Sequence, residues 1–277
     1  MNDRPLDTMR VTLVVPCFNE AARLDRAAFE QALVTTGWLD FCFVDDGSTD
    51  GTGALLASIA AAHPRRVQVL TLSHNAGKAE AVRRGLLHAA TTSPLVGFWD
   101  ADLATPLSEC ERLRDTFAQA PQADWIFGIR LRSLGRTVER RALRHYLGRV
   151  FVTATSLTLD VSAYDTQCGA KLFRVTPLLL AVLSEPFRSR WIFDVEMLVR
   201  AAALLGERTA PLDQLVYEQP LARWAHQGGS KVRPTDFLKA LRDLVRLRVD
   251  RRRWEERRAT LGPLTSWEPP ASSESAA

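Results

Sequence analysis

Mainly apolar runs of strand length alternate with stretches of helical period through the first hundred residues. Residues 11–16, 38–44, 67–72 and 95–99 are such runs, rich in Val, Leu and Phe and bounded by Gly, Pro, Asn, Asp or Ser, the pattern of short strands buried on both faces. Between them, residues 21–35, a stretch opening at Ala54 with Asp50 or Thr52 as its cap, and residues 79–90 read as helices. This order predicts an α/β domain with a mainly parallel central sheet flanked by helices. Ligands of such sheets bind beyond the carboxyl ends of the strands. All four ends here run into polar turns: Cys17-Phe18-Asn19-Glu20, residues 45–52, residues 73–78 and Asp100-Ala101-Asp102. Turn chemistry alone accounts for any one of them; four in succession at the same end point to a shared pocket.

The later pattern is less regular. Residues 124–128 form another apolar run, followed by Arg130, Arg132, Arg136, Arg140, Arg141 and Arg144, which suit either a solvated face or an anion clamp. The loop 227–231, with Gly228, Gly229 and Lys231, is either a plain connection or a lid that brings Lys231 to a phosphate. Residues 234–257 read as a helix with an apolar stripe (Leu241, Leu244, Leu247) among many arginines, fit either to pack on the domain or to lie on an anionic membrane surface. Residues 1–10 read as an N-terminal extension, 11–233 as the catalytic domain and 258–277 as a disordered tail.

Composition narrows the function classes. The chain has 277 residues, is 46% hydrophobic and carries a net charge of +4, too little charge, with no recognition motif, for a nucleic-acid partner. No run reaches the roughly 18 to 20 apolar residues of a membrane span, and residues 1–10 lack a leader's apolar core. A cytoplasmic protein, peripheral on a membrane at most, is expected. Cys17, Cys42, Cys110 and Cys168 have no metal-ligand spacing and read as free thiols.

Asp100 and Asp102 stand one residue apart where an apolar strand ends. Two carboxylates so placed can converge on one hard cation, Mg2+ or Mn2+, leaving coordination sites for phosphate oxygens. Equally, they can belong to a strand-end turn and cap the helix that Pro106 would begin.

Taken together and in order, Val15-Pro16-Cys17-Phe18-Asn19-Glu20, Val44-Asp45-Asp46-Gly47-Ser48-Thr49-Asp50-Gly51-Thr52, Asn75-Ala76-Gly77-Lys78 and Asp100-Ala101-Asp102 resemble the motifs of family 2 glycosyltransferases, whose fold is GT-A (nucleotide-diphospho-sugar transferase, Rossmann-like). The segments 164–173, 190–198 and 228–232 resemble those of its dolichyl-phosphate glucosyltransferase branch, and more loosely its relatives that use other polyprenyl phosphates. The resemblance spans residues 12–249. It implies a UDP-sugar donor, most often UDP-glucose, and inverting transfer of the hexose to a polyprenyl phosphate. It also implies that Pro16, Glu20, Asp45 and Asp46 line the base and ribose, that Lys78 lies near the nucleotide, and that Asp100, Ala101 and Asp102 lie at the diphosphate with its metal. An acceptor phosphate, already ionised, would need Arg130 with Arg140, Arg141 or Arg144 to hold it. A hydroxyl acceptor would need a base, for which Asp194 is the candidate, though Asp194 also suits an N-cap or a buried partner of Arg190. Three features depart from the branch: Gly128-Ile129-Arg130 replaces Gly-Ser-Arg, Ala104 stands where mannosyl relatives tend to have Gln, and a spanning segment is lacking. A non-catalytic nucleotide-binding scaffold is the reading from another class, and the intact aspartate pair argues against it.

Overall fold

A computed structural model describes residues 9–131, 137–138, 163–206, 210–225, 234–261 and 264. The apolar runs become β1 (Val11–Cys17), β2 (Leu39–Asp45), β3 (Val67–Thr71) and β4 (Leu95–Trp99), joined through α1 (Arg26–Thr35), α2 (Thr52–Ala62) and α3 (Lys78–Ala89). There follow α4 (Glu109–Gln119), β5 (Trp125–Ile129), β6 (Thr137–Val138), β7 (Ala170–Arg174), α5 (Pro177–Leu183), α6 (Phe193–Leu205), α7 (Ala210–Leu215), β8 (Val216–Pro220), β9 (Arg223–Trp224) and α8 (Pro234–Arg258). The main sheet has the order β3-β2-β1-β4-β7-β5-β8. Within it β7 runs antiparallel to both neighbours, β4 and β5, while the other pairs are parallel. The short β6 and β9 pair parallel as a separate two-stranded sheet.

Two helix boundaries differ from the sequence expectation. The first helix begins at Arg26 rather than Ala21, because Asp25 caps it through Ala28 N (3.1 Å) while residues 21–23 turn back on the Glu20 carbonyl. The second begins at Thr52, with Asp50 Oδ1 accepting from Thr52 N (2.9 Å) just ahead of it.

Alternation along the strands divides the core. Val11, Leu13 and Val15 of β1 join Phe29, Phe41, Phe43 and Trp99 on one face. Val14 joins Val44, Val96, Phe98 and Phe173 on the other, beneath α3, α5 and α6. Each such side chain contributes roughly 1.5 to 3 kcal/mol by leaving water. The C-terminal helix packs on the domain: Leu244, Leu247 and Trp254 of α8 are buried in that second cluster. Its outward side keeps Val245 and Val249 exposed at 59% and 71%. Among the described residues no helix is long and apolar enough to cross a membrane.

Candidate active site

In the main sheet β1 lies between β2 and β4, so the chain leaves β1 on one side and returns on the other. This is the switch point beyond the strand ends at which open α/β sheets place their ligand crevice. The loops after β1 and β4 flank it, and each holds a left-handed residue other than glycine: Asn19 (φ 52°) and Leu103 (φ 51°). This conformation costs a branched residue such as Leu103 on the order of 1 kcal/mol or more and gathers at functional loops.

On the β4 side, Asp100 and Asp102 are both partly exposed. Lys78, at the start of α3, places Nζ 2.5 Å from Asp100 Oδ1. Burial draws the Lys78 ammonium down, but Asp100, Asp194 and Asp102 together outweigh it and hold its pKa above the ordinary value. Asp102 is pushed up by burial, with Asp100 adding to the effect and Lys78 and Arg23 opposing it. Its Oδ1 accepts from Ala104 N (3.1 Å). The helix-cap alternative therefore does not hold: α4 starts at Glu109 after Ser108, far from either aspartate in the chain. Paired carboxylates with one resident ammonium form a hard-oxygen donor set short of charge compensation, which suits Mg2+ or Mn2+. Among the described residues no third His, Cys, Asp or Glu completes a cluster, so further ligands would come from phosphate oxygens and water. The backbone seats Asp100 closely: its N–H donates to Gly169 O (3.0 Å), and a Cβ on Gly169 would lie 1.9 Å from Asp100 Oδ2.

Around the β1 and β2 ends the acidic candidates already have partners. Arg23 forks onto Glu20, Nε to Oε2 at 2.9 Å and Nη2 to Oε1 at 2.6 Å. Asp45 accepts from Ser48 N (2.9 Å). Asp46 spends both oxygens on the next loop, accepting from Ala76 N (2.7 Å) and Gly77 N (2.9 Å). Pro16 sits half-buried one residue before the end of β1, and Ala101 is buried between the two aspartates. Over the same loop, Arg190 donates to the carbonyls of Asn75 and Ala76 (both 3.3 Å), passing so near Gly77 that a Cβ there would meet Arg190 Nε at 2.8 Å.

Across the crevice, Arg130 follows the last residue of β5. Its Nε and Nη2 both donate to Asp165 (2.7 Å each), as does its backbone N–H (3.1 Å). The guanidinium lies 5.4 Å from the Trp224 ring centre. Burial disfavours its charge, but Asp165 more than compensates and keeps it firmly protonated. Asp194, in the first turn of α6, is buried and bonded to Lys171 Nζ (2.8 Å). Its partner is therefore Lys171 and not Arg190. Lys171 is completely buried and also donates to Thr166 O (2.8 Å) and Cys168 O (2.5 Å). Burial raises the Asp194 pKa, while Lys171 and Lys78 counter it. Arg140, Arg141, Arg144 and Lys231 lie outside the described residues.

Sequence reasoning did not single out Arg23 or Lys171, although the Glu20-to-Arg23 spacing of three is a familiar pairing distance. It also missed a recurring device. Four carboxylates each catch two consecutive backbone N–H groups of a neighbouring loop: Asp46 those of Ala76 and Gly77, Glu196 those of Arg188 and Ser189, Glu218 those of Tyr164 and Asp165, and Glu109 those of Ala222 and Arg223.

The chain is similar to known glycosyltransferases. The family model described as glycosyl transferase family 2 matches residues 12–179. A dolichyl-phosphate β-glucosyltransferase of Drosophila melanogaster is 31% identical over 274 residues, covering 90% of this chain and 77% of its own. The Dictyostelium discoideum enzyme of the same name is 30% identical over 269 residues, covering 89% and 76%. Among solved structures, Mycobacterium tuberculosis glucosyl-3-phosphoglycerate synthase in complex with Mn2+, UDP and glucosyl-3-phosphoglycerate superposes with a TM-score of 0.61 at 22% identity, covering 90% of this chain and 85% of that one.

Proposed function

The chain belongs to glycosyl transferase family 2, and from that premise we propose that this glycosyltransferase moves glucose from UDP-glucose to the phosphate of a polyprenol, with inversion at the anomeric carbon. The observation that carries the acceptor assignment is the presence together of a guanidinium, Arg130, fixed by Asp165, and a carboxylate, Asp194, already engaged by Lys171. An ionised phosphate needs a positive group to hold it and no base to deprotonate it. The relatives named for dolichyl phosphate and glucose support the same choice, and the mycobacterial complex supports a uridine nucleotide and a divalent metal.

In this reading Glu20, Asp45 and the loop tied by Asp46 shape the nucleoside end of the donor site. Asp100 and Asp102 would hold Mg2+ or Mn2+ at the diphosphate. Such a cation, when bound, stabilises the negative charge that the departing UDP acquires. Lys78 adds a second positive charge beside Asp100 and turns from that carboxylate to the phosphate oxygens as the donor enters. Arg130 holds the acceptor phosphate behind the anomeric carbon, its orientation fixed in advance by Asp165 and Trp224, so little ordering is left for the reaction itself. Asp194 serves as the counter-ion of Lys171.

A lipid acceptor requires access to a membrane surface. The outward side of α8 offers one: exposed Val245 and Val249, spaced one turn apart, stand among exposed Arg242, Arg246, Arg252 and Arg253. Small apolar side chains within a cationic field suit anionic headgroups.

Replacement of Asp194 by Asn separates phosphate from hydroxyl acceptors. With a short polyprenyl phosphate, the folded D194N protein is expected to keep kcat within about tenfold of wild type, whereas loss of a general base costs roughly 100- to 10,000-fold. A loss of that larger size in protein of unchanged Tm, or transfer to a polyprenol but not to its phosphate, would replace the phosphate acceptor by a hydroxyl.

A further inference from the structure

Half-buried Glu218 and fully buried Lys171 both act on one short segment. Residues 164–169 cross the end of β5 on their way into β7, its neighbour in the sheet, while β8 flanks β5 on the other side. Glu218 stands opposite Phe127 in the β8–β5 register. From there its carboxylate reaches over and accepts from Tyr164 N (2.7 Å to Oε1, 3.0 Å to Oε2) and Asp165 N (3.1 Å). Lys171 stands opposite Phe98 of β4 and Phe127 of β5. Its ammonium lies about over both rings, at 5.0 and 4.9 Å, and donates to the carbonyls of Thr166 and Cys168. An anion therefore grips the N–H groups at the start of the segment and a cation grips the carbonyls at its end.

What the segment carries makes this grip consequential. Asp165 takes three N–H groups of Arg130, and Gly169 forms the floor beneath Asp100. The same few residues thus set both the guanidinium on one side of the crevice and a carboxylate of the aspartate pair on the other.

We propose that Glu218 is a positioning residue for Arg130: by fixing the backbone of Tyr164 and Asp165 it aims the Asp165 carboxylate, and through it the guanidinium that receives the acceptor anion. The naming of that anion rests on the function proposed above; the mechanical relation does not. Bidentate carboxylate–guanidinium contacts are directional, and a displacement of about 1 Å at such a support degrades a reaction by up to about 100-fold. Lys171 anchors the other end, but its complete burial makes its variants poor reporters, so Glu218 is the residue to change.

The test uses the full chain. Glu218→Ala is expected to raise the KM for a short polyprenyl phosphate about tenfold while the KM for UDP-glucose stays within twofold. Glu218→Gln keeps one acceptor oxygen for both N–H groups and is expected to recover most of the loss. In an Arg130→Ala background the Glu218→Ala change is expected to add less than twofold. A separate readout needs no acceptor: phenylglyoxal modification of Arg130, followed by peptide mass spectrometry, is expected to quicken at least fivefold in Glu218→Ala. If the wild type fails to use polyprenyl phosphate but the modification rate still rises, the acceptor assignment falls and the positioning role stands. Equal effects on both KM values, full additivity with Arg130→Ala, or an unchanged modification rate would each overturn the positioning role.

Discussion

Replacing Gly169 by Ala tests how tightly the aspartate pair is seated. The added Cβ would stand 1.9 Å from Asp100 Oδ2, 2.2 Å from Cγ and 2.6 Å from Oδ1. Ordinary contact begins near 3.4 Å, so the carboxylate must retreat by about 1.5 Å. The backbone offers little relief, because Asp100 N–H is bonded to the Gly169 carbonyl at 3.0 Å and moving the glycine drags the aspartate with it. A retreat of that size breaks the 2.5 Å contact with Lys78 and spoils convergence with Asp102. A misplacement of about 1 Å costs roughly 100-fold, or about 2.7 kcal/mol of barrier, while overpacking costs roughly 1 to 3 kcal/mol of stability. The assay is UDP release from UDP-glucose across a Mn2+ titration, with Tm followed in parallel. Gly169→Ala is expected to lower kcat/KM about 100-fold and weaken the apparent metal affinity in a protein that remains folded. Gly37→Ala is the control, since no atom lies within 4 Å of its Cβ position. A Gly169→Ala enzyme within threefold of wild type at unchanged metal affinity would refute the reasoning.

Other outcomes follow from the same contacts. Glu196→Ala strands the buried Arg200, whose Nη2 lies 2.6 Å from Glu196 Oε1, and frees the Arg188 and Ser189 N–H groups; urea unfolding is expected to register a loss of about 3 to 5 kcal/mol, and a shift under 1 kcal/mol would deny the pair its structural weight. Burial raises all four thiols, Cys42 to about 12 and Cys168 to about 11, so iodoacetamide at pH 8 is expected to leave the native protein unlabelled and to modify every cysteine after denaturation; rapid native labelling would contradict the burial. Reversing Arg242 and Arg246 to Glu is expected to cut binding to phosphatidylglycerol vesicles at least tenfold, since each such arginine contributes about 1 kcal/mol near an anionic surface, and undiminished sedimentation with the vesicles would rule out this face of α8.

The legible part of the fold is its local part. Strands β1 to β4 are mainly apolar runs with turn residues at their ends, and α1 to α3 fill the intervals, so neither needs distant contacts to be read. By contrast, β7 is five residues inside a polar motif, and its antiparallel place between β4 and β5 is decided by pairing with both. The site divides in the same way. Asp100 and Asp102 are visible because strand end and carboxylate pair coincide in sequence. Asp194 is visible as a residue but not in its partnership, since Lys171 lies 23 residues earlier. Glu218 lies in a stretch with no apolar run to mark it as a strand, and its work is done on Tyr164, 54 residues away. Asp46 is visible through its motif, but its hydrogen bonds from Ala76 N and Gly77 N, which tie two loops together, are not.

The measurement that bears most directly on the enzyme's reaction is product analysis after incubation with UDP-[14C]glucose, Mn2+ and a short polyprenyl phosphate, with Asp102→Ala alongside. A radiolabelled, lipid-extractable β-linked glucosyl phosphate, formed with stoichiometric UDP and absent from the Asp102→Ala reaction, is the predicted result. Label that appears only in water-soluble products, or lipid product that persists in Asp102→Ala, would contradict the assignment.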